Sequence, residues 1–281
     1  MNTNQLNADH FYAIGDTHAV CQDYALSGVR ENLAYAIVCD GCSSSEGVDF
    51  GARALAYAAK DVVLAHTELF FTNKPEIIGP VIIGKASLIQ NFGIPANTLD
   101  ATLLIAVIRD SKCRVCAWGD GAYILRDHSG SICTLIEYEK NAPFYLNYLL
   151  NPTRARDYLE NPKTFGTKRL IAKFSSFSKP DFTSTEMEAT IPVVFDFLTQ
   201  AGTSISVISD GITQFRKADS VLIPYTELID EFTGFKTLTG VFVTRRMKAM
   251  LAAMAKRQCS HDDDISIASI AQMPSIPQNH A

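Results

Sequence analysis

The chain twice ends an apolar segment with the dipeptide Asp-Gly. Residues 33–39, Leu-Ala-Tyr-Ala-Ile-Val-Cys, lead into Asp40-Gly41, and residues 204–209 lead into Asp210-Gly211. Near the C-terminus the order is reversed, because three consecutive aspartates at 262–264 precede the apolar residues 265–270. Buried strands with acidic ends bring several carboxylates to one rim of a sheet, where they repel each other unless a cation compensates.

Carboxylate oxygens are the ligands that hard divalent ions such as Mg²⁺ and Mn²⁺ prefer. A single Asp-Gly pair is typical of a turn, and an acidic triplet alone is typical of a solvated loop. The position of all three beside strands apolar enough to be buried favours a metal centre instead.

The composition bounds the class of protein. A chain of 281 residues with 47% hydrophobic and 20% charged residues is typical of a soluble globular protein. The net charge of −5, without a Lys/Arg stripe, argues against nucleic-acid binding through phosphate attraction. No signal peptide and no bilayer-length apolar segment are recognisable, so we expect a cytoplasmic protein with no membrane partner.

Seven scattered cysteines do not suggest a disulfide framework. Cys113 and Cys116 have a C-x-x-C spacing, but they fall on a predicted strand, where positions three apart point to opposite faces. No second pair completes a zinc site. We therefore predict that both are buried core thiols.

Strands and helices are predicted in groups, which favours packed antiparallel sheets with covering helices. A hairpin is predicted at Gly119-Asp120-Gly121, and amphipathic helices at 47–66, at 76–91 and around the methionines 247–254. The predicted strands are 11–15, 34–39, 101–108, 114–118, 122–125, 132–137, 204–209 and 265–270.

No linker or repeat divides the chain, so residues 1–281 are expected to form one domain. Residues 141–188 are rich in Pro, Asn, Ser and Lys and have weaker periodicity. They are interpreted as an inserted, partly helical segment, and such segments are often lids or binding loops.

Six short motifs now appear in a recognisable order over residues 15–270. The chain resembles the metal-dependent Ser/Thr protein phosphatases of the type 2C (PPM) family, in particular a divergent bacterial-type subgroup. The motifs are Gly15-x-x-His18-x-x-x-Gln22-Asp23, Val38-Cys39-Asp40-Gly41-Cys42, Asp100-Ala101-Thr102-Leu103-Leu104, Trp118-Gly119-Asp120-Gly121, Ile208-Ser209-Asp210-Gly211-Ile212 and Asp262-Asp263-Asp264-Ile265-Ser266-Ile267.

The resemblance implies an α+β fold, a four-layer α-β-β-α sandwich of two antiparallel sheets flanked by helices. It also implies two Mn²⁺ or Mg²⁺ ions at one edge. The implied ligands are the carboxylates of Asp40, Asp210 and Asp263 and the carbonyl of Gly41, with Asp40 bridging both ions. Asp263 is chosen because Asp263-Asp264-Ile265-Ser266 fits the family pattern, although a shift by one position within 262–264 remains open.

Further roles follow from the same resemblance. Asp23 would orient metal-bound water from outside the ligand set, and Asp120 and Asp264 are additional candidates for metal binding. Many relatives have a phosphate-binding Arg where this chain has His18, so His18 is a candidate phosphate contact. Gln214 replaces an Asp that serves a third metal site in many relatives, so that site is expected to be weak or absent.

The implied activity is the hydrolysis of phosphoserine and phosphothreonine in proteins, by a hydroxide that bridges the two metals and attacks phosphorus in line. A phosphorylated protein and its cognate Ser/Thr kinase are the expected partners. Two alternatives stay open at this point. One is a catalytically weak relative that acts as a binding or regulatory module, and the other is a phosphatase of a small phosphorylated metabolite.

Overall fold

Two antiparallel sheets and their covering helices make up the computed structural model, which describes residues 5–72, 74–166, 168–177, 181–190 and 192–273. The strands are β1 (Leu6–Ala13), β2 (Asp23–Arg30), β3 (Leu33–Asp40), β4 (Leu103–Arg109), β5 (Lys112–Trp118), β6 (Gly121–Arg126), β7 (Ser131–Tyr138), β8 (Lys168–Ser175), β9 (Asp181–Glu188), β10 (Val193–Leu198), β11 (Ser204–Ile208), β12 (Phe215–Arg216), β13 (Ser260–His261) and β14 (Ile265–Gln272). The α-helices are α1 (Val48–Ala65), α2 (Thr67–Phe70), α3 (Ile78–Ala86), α4 (Pro152–Glu160), α5 (Pro162–Phe165), α6 (Tyr225–Thr233) and α7 (Phe242–Lys256). Short 3₁₀ helices cover Pro75–Ile77, Ser87–Phe92, Ala96–Leu99, Glu139–Asn141, Leu146–Leu150 and Asp210–Thr213.

The larger sheet has seven strands in the order β1-β14-β11-β6-β7-β8-β9, and the smaller has five in the order β10-β5-β4-β3-β2. The strands β12 and β13 form a separate pair. Every residue of β14 and all but the last residue of β3 are buried. Their nearly continuous apolar sequences follow from this position, since both strands are covered on both faces.

Three apolar layers hold the elements together. One lies between the sheets and includes Val38, Leu104 and Ile205. The second joins the five-stranded sheet to α1 and α3, and the third joins the seven-stranded sheet to α6 and α7. Helices thus cover both outer faces of a pair of antiparallel sheets, which confirms the α-β-β-α sandwich expected from the sequence.

Local predictions from periodicity are confirmed where the apolar pattern is strong. The stripe of Leu55, Ala59 and Val62 is buried on α1, and the methionines of α7 that repeat at helical spacing pack in the third layer. Cys113 faces the layer between the sheets and Cys116 faces the helices on the other side, so both are core thiols. The helix predicted at 76–91 is divided into α3 and the 3₁₀ helices before and after it.

The predicted hairpin at Gly119-Asp120-Gly121 is wrong. β5 belongs to the five-stranded sheet and β6 to the seven-stranded sheet, so this segment carries the chain from one sheet to the other. Gly119 has φ 97° and Gly121 has φ 128°, and both values favour glycine over residues with a side chain. The same turn residues serve a hairpin and a crossover, so only the distant strand partners distinguish them.

Residues 141–188 are helical only in their first half. After α4 and α5 the chain forms β8, which pairs with β7, and then β9 at the edge of the seven-stranded sheet. These two strands were not predicted from the sequence, and neither were β2, β10 and the short pair β12 and β13. Within the described residues, no helix has both the length and the apolar character needed to cross a membrane.

Candidate metal centre

Five aspartates from both sheets lie at one end of the sandwich. In the five-stranded sheet Asp40 ends β3, and Asp23, its directly paired neighbour, begins β2. In the seven-stranded sheet Asp210 follows β11 and Asp263 precedes β14. Asp120 lies on the crossover between the sheets. The fold therefore brings together carboxylates that are as far as 240 positions apart (263 − 23) in the sequence.

A cavity of about 410 Å³ opens among these aspartates. Its lining includes Asp40, Gly41, Asp120, Asp210, Asp263 and His18. Asp23 lies behind Asp40 with only 2% of its surface exposed. The described residues that line the cavity include no Lys or Arg, so the negative charge has no fixed cation opposite it.

Burial makes these carboxylates harder to ionise. It raises the pKa of Asp23 to about 7, and together with the charge of Asp210 it raises the pKa of Asp120 to about 8. The pKa of Asp40 is well above its usual range because of burial and then the charges of Asp23 and Asp210. Burial also raises the pKa of Asp210, and burial with the charge of Asp210 raises that of Asp263.

The aspartate side chains offer negative charge and oxygen donors, which suit divalent cations. The charges of Asp23 and Asp210 add to burial in raising the pKa of Asp40, so without a cation these carboxylates are difficult to ionise together. Both oxygens of Asp23 and Oδ1 of Asp210 are buried without a hydrogen-bond partner among the described residues. In the part of the chain that the structure describes, no three His, Cys, Asp or Glu side chains are grouped closely enough to hold a metal ion as they stand. The fit rests instead on the uncompensated charge and the unpartnered oxygens.

The three C-terminal aspartates have three different environments. Asp264 is buried, and its carboxylate accepts hydrogen bonds from the backbone N–H of Gly15 (2.7 Å) and of Gln22 (2.6 Å). Asp262 pairs with Arg216. Asp263 is partly exposed and lines the cavity. Asp262 lines the cavity as well, but its carboxylate already pairs with Arg216, and Asp264 positions the loop that carries His18.

Two glycines explain how the acidic segment reaches this position. A Cβ on Gly15 would lie 2.3 Å from the carbonyl carbon of Asp263, and a Cβ on Gly211 would lie 2.0 Å from the carbonyl oxygen of Asp264. The backbone of the acidic segment therefore passes between two positions that have no room for a side chain. The glycine of the Asp210-Gly211 motif has this steric role in addition to its place in a turn.

His18 lies against the acidic segment. Its Nδ1 is 3.1 Å from Oδ2 of Asp264, and its Nε2 is 3.6 Å from Oδ1 of Asp263. Burial lowers the pKa of His18, but the contact with Asp264 and the charges of Asp264, Asp263 and Asp23 outweigh it and raise the pKa above 6.5. The imidazolium form is thus favoured at the edge of the cavity.

Asp100 is part of the motif 100–104, but its role could not be read from the sequence. It is fully buried, and Nη1 and Nη2 of Arg154 each donate to it at 2.9 Å. Asn147 and Ser45 also donate to the same carboxylate. Because Ser45 follows the Asp40-Gly41 turn, Asp100 connects α4 to the loop beside the cavity. Arg154 and Asn147 are about fifty positions away, and no local pattern marks them.

The family is decided by a comparison of the whole sequence. Residues 15–252 match the profile of the family described as protein phosphatase 2C. The chain belongs to the protein phosphatase 2C family. No curated protein is similar enough in sequence to be counted as a match.

Solved structures share the fold of this family at low sequence identity. The S. agalactiae serine/threonine phosphatase has a TM-score of 0.57 and 13% identity, and the match covers 95% of this chain and 99% of that chain. The phosphatase domain of SpoIIE from Bacillus subtilis has a TM-score of 0.54 and 12% identity, covering 100% and 98%. The Mycobacterium tuberculosis serine/threonine phosphatase PstP/Ppp has a TM-score of 0.54 and 11% identity, covering 96% and 99%.

The carboxylate cluster predicts how the stability of this phosphatase 2C protein depends on pH without metal. Asp23 and Asp120 have raised pKa values in the folded protein, so they favour the folded state most at low pH. Their contribution to the free energy of unfolding is complete below pH 3.8, and it is lost as the pH rises to about 7 for Asp23 and to about 8 for Asp120. With a chelator present to remove metal, we expect the free energy of unfolding to fall by roughly a few kcal/mol between pH 5 and pH 8. Denaturant titrations at several pH values measure it.

Two controls accompany this measurement. Asp120→Asn should flatten the pH dependence because it removes one titrating group. Added Mn²⁺ should stabilise the protein most at pH 8, since a ligand that binds only the folded state raises its stability. If the free energy of unfolding in the presence of chelator stays constant between pH 5 and pH 8, the fold does not hold these carboxylates close enough to repel each other.

The Asp100–Arg154 contact gives a second prediction. Arg154→Met leaves the buried carboxylate of Asp100 with only Asn147 and Ser45 as donors, so we expect a loss of about 1–3 kcal/mol in the free energy of unfolding. Denaturant unfolding measures the loss. The double variant Asp100→Asn/Arg154→Met should recover part of it, because the unpaired charge is gone. Strictly additive losses would show that the two side chains do not interact.

Proposed function

We propose that this chain is a metal-dependent phosphatase that hydrolyses phosphoserine and phosphothreonine in proteins. The observation that carries the proposal is the convergence of Asp40, Asp210 and Asp263 on one cavity, in a chain of the protein phosphatase 2C family. A module that only binds phosphoproteins has no physical reason to retain buried carboxylates that repel each other without metal.

When bound, two Mn²⁺ or Mg²⁺ ions would lower the pKa of a water molecule and offset charge on the phosphoryl oxygens. The residues that would hold these ions are Asp40, Asp210 and Asp263 through their carboxylates and Gly41 through its carbonyl. Asp23 contributes by position, since it is paired with Asp40 across β2 and β3 and can accept hydrogen bonds from water.

The backbone around Asp40 is held on both sides. Its N–H donates to Oγ1 of Thr102 at 3.2 Å, and its carbonyl accepts from the N–H of Thr102 at 2.8 Å. A ligand on a fixed backbone keeps its geometry when charge develops on the substrate, which is how such sites stabilise a transition state.

His18 is proposed to contact the substrate phosphate. Its position in the lining of the same cavity as Asp40 and Asp210 supports this role, and its imidazolium form has a positive charge to offer to phosphate. Gln214 lines the same cavity beside Asp120, and its neutral amide is a poorer ligand for a divalent ion than a carboxylate. A third metal site there is therefore proposed to be weak or absent.

A phosphoprotein substrate requires a kinase that phosphorylates it. A phosphorylated protein has to be supplied by a Ser/Thr kinase in the same compartment, for which we propose the cytoplasm. A small phosphorylated metabolite is the alternative substrate, and assays on both substrate types distinguish the two.

The proposal predicts that Asp40→Asn, Asp210→Asn and Asp263→Asn each lower kcat by at least about two orders of magnitude, because each removes charge that holds the metal. The assay is hydrolysis of an aryl phosphate and of a phosphothreonine peptide with Mn²⁺. The exposed Asp157→Asn on α4 is the matched control and should retain normal activity. Normal Mn²⁺-dependent turnover by Asp40→Asn would disprove the two-metal assignment, and wild-type turnover that persists in chelator would disprove metal dependence.

A second prediction concerns His18. If its imidazolium contacts phosphate, His18→Ala should raise KM more than it lowers kcat, the pattern of lost substrate binding. The wild-type KM should rise with pH as His18 loses its proton, and His18→Arg should remove that rise because Arg stays charged. Steady-state kinetics between pH 6 and 9 decide the question. An unchanged KM in His18→Ala would leave His18 as a residue that only positions Asp263 and Asp264.

A further inference from the structure

A second and larger cavity, of about 780 Å³, adjoins the candidate metal centre. The two cavities share Asp120, Asp210 and Asp263 in their linings, so they meet at the carboxylate cluster. From there the larger cavity continues over β7 and β8 to Glu186 on β9. We call it the outer groove.

The outer groove lies on the face of the seven-stranded sheet that faces away from the five-stranded sheet. Leu135 of β7 belongs to the layer beneath α6 and α7, and Glu137 points the same way because it is two positions further along the strand. On β8, Leu170 is partly exposed and lies directly opposite Glu186. The helices cover only part of this face, and β9 is exposed along almost its whole length.

Near the metal centre, the outer groove has a carboxylate without a cationic partner in the described part of the chain. Lys168 donates to Glu186 at 2.8 Å, so these two charges offset each other. Arg169 also lines the groove, but it is buried and its guanidinium donates to Tyr138 at 3.1 Å. Glu137 is exposed and forms no ion pair within the described residues. A cation in the groove would therefore meet an uncompensated carboxylate at Glu137.

The register of the strands places Glu137 close to the reacting position. Gly121 of β6 pairs with Ile136 of β7, so Glu137 lies beside Asp120 at the end of the neighbouring strand. Adjacent strands are about 4.8 Å apart, and an extended peptide rises about 3.3 Å per residue. Glu137 is thus roughly one or two peptide residues from a phosphate at the metal centre, and Glu186 is roughly three residues further.

We propose that the outer groove binds the residues that flank the phosphorylated side chain and favours substrates with Lys or Arg there, with Glu137 as the main specificity residue. This inference rests on the proposed function, since it needs the phosphorylated residue at the metal centre. A protein segment is the occupant that fits, because the groove is an open strand-lined surface with apolar patches and more acidic than basic side chains in its lining. A small metabolite would use the metal centre alone.

The experiment compares phosphothreonine peptides that differ at one position. Lys or Gln is placed one to five residues before or after the phosphothreonine, and kcat/KM is measured with Mn²⁺ beside that for para-nitrophenyl phosphate. We expect the best Lys peptide to exceed its Gln counterpart by about three- to tenfold at low salt, as for a partly exposed ion pair. The ratio should approach one at high salt because the contact is screened.

Variants of the groove should change the preference for Lys over Gln in opposite directions. Glu137→Gln should remove most of the preference for Lys, and Glu137→Lys should reverse it. Lys168→Met should strengthen the preference at the more distant positions, because it frees Glu186. Glu76→Gln, an exposed substitution near α3 on the far side of the molecule, is the matched control and should change nothing. The Lys-to-Gln ratio of kcat/KM is taken within each variant, so a change in the variant's turnover of para-nitrophenyl phosphate does not alter the comparison. The control Glu76→Gln should hydrolyse para-nitrophenyl phosphate within about twofold of the wild type, because its exposed side chain lies away from both cavities.

The outcomes separate the two proposals. If the wild type hydrolyses para-nitrophenyl phosphate and the peptides but does not prefer Lys, the role assigned to the outer groove is wrong and the proposed function is unaffected. Equal losses by Glu137→Gln on peptides and para-nitrophenyl phosphate would also overturn it, because Glu137 would then act on the metal centre. A wild type with no Mn²⁺-dependent activity on any substrate overturns the proposed function, and the groove assignment with it.

Discussion

The repulsion among carboxylates at the end of the sandwich is the constraint on which the rest of the structure depends. Charges a few ångströms apart in a partly buried site are costly without a cation. A flexible chain would relieve that cost by moving the side chains apart. The fold instead holds their backbones with contacts that do not involve the cavity itself.

Those contacts connect the two sheets to the acidic motifs. Ser209 and Ser266 exchange hydrogen bonds, because the N–H of Ser266 donates to Oγ of Ser209 and the N–H of Ser209 donates to the carbonyl of Ser266. This pair fixes the end of β11 against the start of β14, directly beside Asp210 and Asp264. The buried carboxylate of Asp264 then holds the loop that contains Gly15 and His18. Asp264, a candidate ligand in the sequence, thus also holds the loop that contains Gly15.

The sequence predicts the parts of this fold that depend on local chemistry. Long apolar runs identify β3, β4 and β14, and helical spacing identifies α1 and α7, because burial imposes these patterns directly. The strand β9, Asp-Phe-Thr-Ser-Thr-Glu-Met-Glu, is almost entirely exposed and is held by its pairing with β8. It has no buried face to impose a pattern, so periodicity could not reveal it. The crossover at Asp120 was mistaken for a hairpin because turn residues do not specify the distant partner of the next strand.

The pairing of the first strand with the last has a consequence for how the chain acquires its structure during synthesis. β14 lies between β1 and β11 and also follows the acidic segment, so neither strand has its full set of hydrogen bonds until β14 has been made. Until then β1 and β11 present open edges, which are prone to pair with other chains. The acidic segment and β14 must leave the ribosome before the carboxylates of both sheets can meet. A nascent chain therefore has no assembled acidic cluster until the whole sandwich closes.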